Sequence, residues 1–221
     1  MAPALIVFDL DGTLIDSRRD LADAANALIA RYGGRALPAD DVTGMVGEGA
    51  RMLIARAFGA AGLDVSPDEA LPAFLEIYGR CLFDHTRPYD GVEEMLCRAA
   101  ACAPVAVLTN KPQHPADRIV AHFGFDRFAR RVIGGDAGFP RKPSPDALLA
   151  LAGEAGVDPP DALLVGDSWI DHETAARAGA RVCLARYGFG WAQFDRGRLR
   201  GDEWFIDAPC ELAGLMAEGA A

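Results

Sequence analysis

The sequence predicts an α/β fold: a parallel sheet covered by helices on both faces, with a block of helices inserted after the first strand. Three observations carry this expectation. From residue 92 onward, short apolar runs alternate with segments of helical period, the pattern of βαβ units. Each run is apolar throughout and not at alternate positions, as expected of strands buried on both faces. Residues 38–84 carry helical spacing with no β-branched alternating run to interrupt them.

Residues 4–9 (ALIVFD) read as the first buried strand, ending in a carboxylate, and Asp11-Gly12-Thr13 breaks it as a turn. A helix follows from Ser17, with Leu21, Ala24, Ala25, Leu28, Ile29 and Tyr32 at spacings of three and four, and Gly33-Gly34 stops it. Ser17 with Asp20 three residues on resembles a capping arrangement. Further helices are expected at 39–45, 49–59 and 67–83, and Asp90-Gly91 marks a boundary. Beyond it come a helix at 92–101, a strand at 104–109, a helix at 114–122, a strand at 131–133 and a helix at 145–155. A strand at 162–166, a helix at 170–178, strands at 181–185 and 204–206, and a helix from 209 to 216 complete the chain. The expected division is a core of residues 1–15 and 88–221 around a helical cap of residues 16–87.

Composition narrows the function. Lys plus Arg is 22 against 32 Asp plus Glu, a net charge of −10. Such a chain repels phosphate backbones and anionic lipid, which argues against nucleic-acid and membrane partners. No run reaches the ~18 apolar residues of a membrane span, and the start of the chain lacks a signal-peptide pattern. Five cysteines without a C-x-x-C pair fit free thiols in a reducing compartment, so a cytoplasmic location is expected, as monomer or homodimer. Of the 22 basic residues only Lys111 and Lys142 are lysines.

In open parallel sheets, sites lie beyond the carboxyl ends of the strands. Those ends here carry Asp9 and Asp11, then Thr109-Asn110-Lys111, then Arg141-Lys142-Pro143, then Gly166-Asp167-Ser168 with Asp171 three residues on. Any one of these has an ordinary reading as a turn or a helix cap. Together they place four carboxylates and both lysines at one edge. Clustered carboxylates repel unless a cation joins them, and oxygen ligands beside a phosphate favour Mg²⁺. Such a set suits phosphoryl transfer: a carboxylate nucleophile, a second carboxylate as acid and base, and cations that neutralise the transferred group.

Asp9-Leu10-Asp11-Gly12-Thr13, Thr109-Asn110, Lys142-Pro143 and Gly166-Asp167-Ser168-x-x-Asp171 resemble, in order, the four motifs of the haloacid dehalogenase (HAD) superfamily. Val46-Gly47-Glu48-Gly49-Ala50-Arg51, Thr109-Asn110-Lys111-Pro112, Gly134-Gly135-Asp136 and Tyr187-Gly188-Phe189-Gly190 resemble its phosphoglycolate phosphatase branch. The resemblance implies a Rossmann-like core, an inserted all-helical cap and a small phosphorylated metabolite, most simply 2-phosphoglycolate, as substrate. It implies Asp9 as nucleophile, Asp11 as acid and base, and Thr13 as a residue that orients that acid. Thr109 and Asn110 hold phosphoryl oxygens, and Lys142 neutralises nucleophile and phosphate. Mg²⁺ is implied on Asp9, Asp167 and the Asp11 carbonyl. Asp171, with Ser168 beside it, fixes a metal water or Lys142.

Gly44–Gly49 is expected to be a cap turn facing the core, and Arg51 a grip for a substrate carboxylate. Lys111 reads as a surface charge at a strand end, and is with Arg18 and Arg19 a next candidate for that carboxylate if Arg51 does not hold it; Trp169 reads as packing, and His85 and Tyr89 as neighbours of a hinge. Asp11 argues against a dehalogenase. The absence of Lys in residues 16–87 argues against a Schiff-base phosphonatase, and the lack of His in 17–32 against a β-phosphoglucomutase. Other sugar-phosphate phosphatases, among them those acting on N-acetylmuramic acid 6-phosphate, and a non-catalytic binding protein on the same fold are the remaining alternatives.

Overall fold

The computed structural model describes residues 2–218, with the side chain of Glu218 excluded. Strands β1 (Leu5–Phe8), β4 (Val105–Leu108), β5 (Ala129–Ile133), β6 (Ala162–Gly166), β7 (Arg181–Ala185) and β8 (Trp204–Ile206) form one sheet in the order β5-β4-β1-β6-β7-β8. Every pairing in it is parallel. The order runs outward from β1 in one direction, then returns to β1's other edge. The crevice of such a doubly wound sheet opens where the direction reverses, between β1 and β6. Asp9 and Asp167 immediately follow these two strands.

Successive side chains of each strand alternate between the two faces of the sheet and pack into two separate cores. Leu5 and Val7 pack under α7 (Asp146–Ala155) and α8 (Trp169–Ala178). Ile6 and Phe8 face the opposite layer of α5 (Val92–Cys102), α6 (Gln113–His122) and α9 (Leu212–Glu218). Every side chain of β1 is buried, each such aliphatic residue contributing about 1.5–3 kcal/mol relative to exposure. The helix expected over 209–216 is a 3₁₀ turn at Pro209–Glu211 followed by α9.

Between β1 and β4 the chain forms α1 (Arg18–Arg31), α2 (Ala39–Thr43), α3 (Ala50–Ala61) and α4 (Pro67–Cys81), which pack on one another. They leave and rejoin the core through a two-residue antiparallel ladder, β2 (Ile15–Asp16) with β3 (Arg87–Pro88), which sequence periodicity did not register. Asp20 holds this neck together. Its carboxylate is buried and accepts hydrogen bonds from the backbone N–H of His85 and Thr86 and from the Thr86 hydroxyl, at 2.7–3.1 Å. The capping role expected of Ser17 and Asp20 is therefore replaced: the Ser17 hydroxyl donates to Asp11 at 2.5 Å, and no side-chain cap bond forms at α1. A capping oxygen must accept from backbone N–H groups, and here both side chains are taken by longer-range partners.

Candidate active site

Residues from all four strand ends converge above the β1–β6 crevice. Asp9, at the end of β1, accepts at Oδ1 from the Leu10 backbone N–H at 2.7 Å, and the same oxygen pairs with Lys142 Nζ at 2.9 Å. Lys142 also donates to Asp171 Oδ1 at 2.6 Å. The second oxygen of Asp171 accepts from the hydroxyl of Ser168 at 2.6 Å and its backbone N–H at 3.2 Å. Asp171 lies in the first turn of α8, so the helix start fixes it and it in turn fixes the lysine. Asp167 follows β6 and accepts from the Gly190 backbone N–H at 2.7 Å.

Close backbone approach builds this corner. Gly12 has φ +84°, and a Cβ there would fall 1.9 Å from an Asp167 oxygen. Only glycine fits, both for its left-handed conformation and for the space. On the cap side, Gly49 has φ +88°, and a Cβ would meet the Asn110 carbonyl at 3.0 Å. The Asn110 side-chain amide donates to the Gly47 carbonyl at 3.0 Å and to the Lys142 carbonyl at 2.8 Å. The turn at residues 44–49 thus sits against the core beside the strand ends, as its glycines suggested.

Electrostatics favour an added cation. Carboxylate oxygens of Asp9, Asp167 and Asp171 lie within 4.8 Å of one another. Burial, opposed by Lys142 and reinforced by Asp171, pushes Asp9 up to about 7. Burial, then Asp171 and Asp9, pushes Asp167 well above the usual carboxylate range. Burial would lower Lys142, but Asp171 and Asp9 more than offset it and shift it upward, so the ammonium persists. One ammonium among three carboxylates leaves an excess of negative charge in a desolvated corner. The residues present therefore fit a hard divalent cation with oxygen ligands, Asp9 and Asp167 being the carboxylates best placed to hold it.

A family model for haloacid dehalogenase-like hydrolases matches residues 3–179. The chain belongs to this family. It is 38% identical to the phosphoglycolate phosphatase of Rhodospirillum rubrum over 85% of this chain and 81% of that one. It is 32% identical to the N-acetylmuramic acid 6-phosphate phosphatase of Pseudomonas aeruginosa, covering 96% of this chain and 93% of the relative. The crystal structure of a predicted phosphoglycolate phosphatase from Haemophilus somnus superposes with a TM-score of 0.87 at 31% identity, covering 96% of this chain and 97% of that one. The chain is thus a phosphoric monoester hydrolase, and it falls in the phosphoglycolate phosphatase-like branch of the haloacid dehalogenase-like hydrolases. No helix among the described residues is long and apolar enough to cross a membrane.

Within this hydrolase the expected residues are not all brought together. Asp9, Asp11, Thr109, Asn110, Asp167 and Ser168 line one cleft, with Lys142 and Asp171 directly behind Asp9. Thr13 is buried nearby, but its hydroxyl has no hydrogen-bond partner; the Ser17 hydroxyl, not Thr13, donates to Asp11. Tyr187 secures the turn instead, donating to the Thr13 carbonyl at 2.8 Å. Arg51 is not at the cleft. It lies on the exposed first turn of α3 and forks onto Asp68 of α4, at 2.6 and 2.9 Å. Arg51→Ala is therefore expected to change kcat/KM by less than about threefold on phosphoglycolate or p-nitrophenyl phosphate, the scale of an exposed ion pair. Steady-state assays on both esters check this.

Lys111 is the residue that sequence reasoning misplaced. Its side chain is 2% exposed, and its ammonium lies 2.9 Å from both oxygens of Asp11. The Tyr78 ring of α4 covers it at 4.7 Å. Burial would lower its pKa, but Asp11 and Tyr78 shift it upward. The usable signal was the count: in a chain of 20 arginines, the two lysines, one just after β4 and one in the loop between β5 and α7, are both buried against carboxylates.

Proposed function

We propose that this hydrolase is a Mg²⁺-dependent phosphatase that converts 2-phosphoglycolate to glycolate and phosphate through an aspartyl-phosphate on Asp9. The observation that carries the reading is the pairing of two carboxylates in different surroundings at the end of β1. Asp9 is buried against Lys142, and Asp11 lies two residues on, turned toward the cap-side wall of the same cleft. Environments that separate two carboxylates in this way assign them separate roles.

In the first half-reaction the free carboxylate oxygen of Asp9 attacks phosphorus. The ester P–O bond breaks, and Asp11 gives its proton to the departing alkoxide. In the second, Asp11 takes a proton from water as that water attacks the phosphoryl group on Asp9, releasing phosphate and restoring the carboxylate. Lys142 stays charged throughout and balances Asp9 and the transferred group. Thr109 and Asn110, at the end of β4, face the same cleft and are assigned to the phosphoryl oxygens. Asp9, Asp167 and the backbone carbonyl of Asp11 would hold Mg²⁺, which supplies neutralisation of phosphoryl charge when bound. The cap, taken as residues 16–87, closes the leaving-group side with Leu21, Val46, Leu53, Phe74 and Tyr78. This wall excludes water and suits a small leaving group over a hydroxyl-rich sugar, whose polar groups would go unpaired there.

Hydrolysis of p-nitrophenyl phosphate is expected to vanish in excess EDTA and to return with Mg²⁺. Ca²⁺ should inhibit, because its larger and looser shell misplaces nucleophile against phosphate. Undiminished activity in chelator would remove the metal from the reading. The substrate is tested by phosphate release across a metabolite panel that includes N-acetylmuramic acid 6-phosphate. A kcat/KM for 2-phosphoglycolate below that of the sugar phosphates would overturn the substrate assignment while leaving the phosphatase chemistry in place.

A further inference from the structure

The leaving-group side of the cleft is chemically lopsided. Leu21, Val46, Leu53, Phe74, Leu75 and Phe189 form an apolar wall, and Lys111 is the only cation among the described residues that line the cleft. Its ammonium is desolvated, with Asp11 on one side and the Tyr78 ring on the other. A buried lysine with a single carboxylate partner holds an exchangeable ion pair: a second carboxylate entering the cleft competes for the same donors. Tyr78 belongs to α4 and Lys111 to the loop after β4, so the ammonium's enclosure is complete only where cap and core meet.

We propose that Lys111 is the specificity residue of this enzyme, reading a carboxylate carried by the leaving group of the substrate and yielding Asp11 as it does so. The inference rests on the phosphatase reading above and adds to it the group that selects the substrate. No covalent bond forms or breaks in this step. The ammonium exchanges one carboxylate for another, and Asp11 keeps the Ser17 hydroxyl, 2.5 Å from its Oδ1. Asp11 is then released toward the departing oxygen only when the cleft holds an anionic leaving group. A neutral leaving group occupies the same apolar wall without displacing Asp11 from Lys111. Discrimination by charge is available here because the described lining offers an anion no other cation.

The test compares 2-phosphoglycolate with ethyl phosphate in wild type, Lys111→Met and Lys111→Gln. Both esters have poor alkoxide leaving groups and differ in the carboxylate. Wild type is expected to prefer phosphoglycolate by about 10–100-fold in kcat/KM, the scale of a charge-assisted hydrogen bond in a desolvated site. In Lys111→Met that preference should collapse to within about threefold, mainly through KM for phosphoglycolate. Lys111→Gln, which keeps a donor for Asp11, guards against a variant that fails to fold and should lose the preference likewise. Equal losses on the two esters, with the preference intact, would overturn the inference and make Lys111 a positioning residue for Asp11; the phosphoglycolate reading would stand. A wild type that hydrolyses ethyl phosphate as well as phosphoglycolate would overturn both.

Discussion

Asp9→Asn is expected to abolish turnover, by about 10⁴-fold or more in kcat, while leaving the fold intact. The amide cannot attack phosphorus as a carboxylate does, and the assigned route has no second nucleophile. The fold should survive because Asp9 contributes little to it as an anion. Burial has pushed its carboxyl up to about 7, so ionising it costs folding free energy. Lys142 retains Asp171 at 2.6 Å when Asp9 is neutralised, and the substitution preserves volume. Circular dichroism and thermal melting check the fold. Rapid-quench labelling with radioactive substrate checks the chemistry: wild type should trap a hydroxylamine-sensitive phosphoenzyme and the variant should not. A folded, wild-type-free preparation with more than about 1% of wild-type kcat would mean that Asp9 is a ligand and not the nucleophile.

The parallel sheet was readable because its strands are buried on both faces. LIVF, VAVL and ALLVG are continuous apolar runs, and a run of that kind needs no partner to be recognised. The carboxylates assigned to catalysis were readable for a related reason, since a charge directly after such a run must sit at the sheet's edge. What escaped the sequence depends on contacts between segments far apart. The β2–β3 ladder pairs residues 15–16 with 87–88 and is too short to carry a period. Asp20 looks like a helix-start residue until the chain returns 65 residues later to place two N–H groups on it. Arg51 sits two residues after a glycine that touches the core, yet its own direction is set by Asp68 on the neighbouring helix. Lys111 is the converse: local sequence leaves it beside a strand end, and α4 buries it.

Asp167→Asn should separate function from stability in one substitution. Activity with Mg²⁺ is expected to fall by about 10²-fold or more, since the variant removes one of two carboxylates assigned to the metal. The metal-free chain is expected to become more stable, not less. Asp167 is pushed well above the ordinary range by burial, then by Asp171 and Asp9. A carboxyl whose pKa is higher in the fold than in the unfolded chain binds its proton more tightly when folded. Stability therefore declines as pH rises from the unfolded value near 3.8 toward the folded one, and Asn removes that decline. The neutral amide also fits the tight space beside Gly12 without added volume, and its oxygen can still accept from Gly190. In EDTA the melting temperatures of variant and wild type should lie close together only near pH 3.8, where the decline begins. At pH 8 the variant should melt higher by about 2–4 °C, the shift that roughly 1 kcal/mol produces in a chain of this size. Mg²⁺ should raise the melting temperature of wild type and move that of the variant little. A variant that melts lower than wild type at pH 8 in EDTA would show that Asp167 holds the fold together as an anion. The charge excess that draws a cation to this corner would then be relieved within the protein itself.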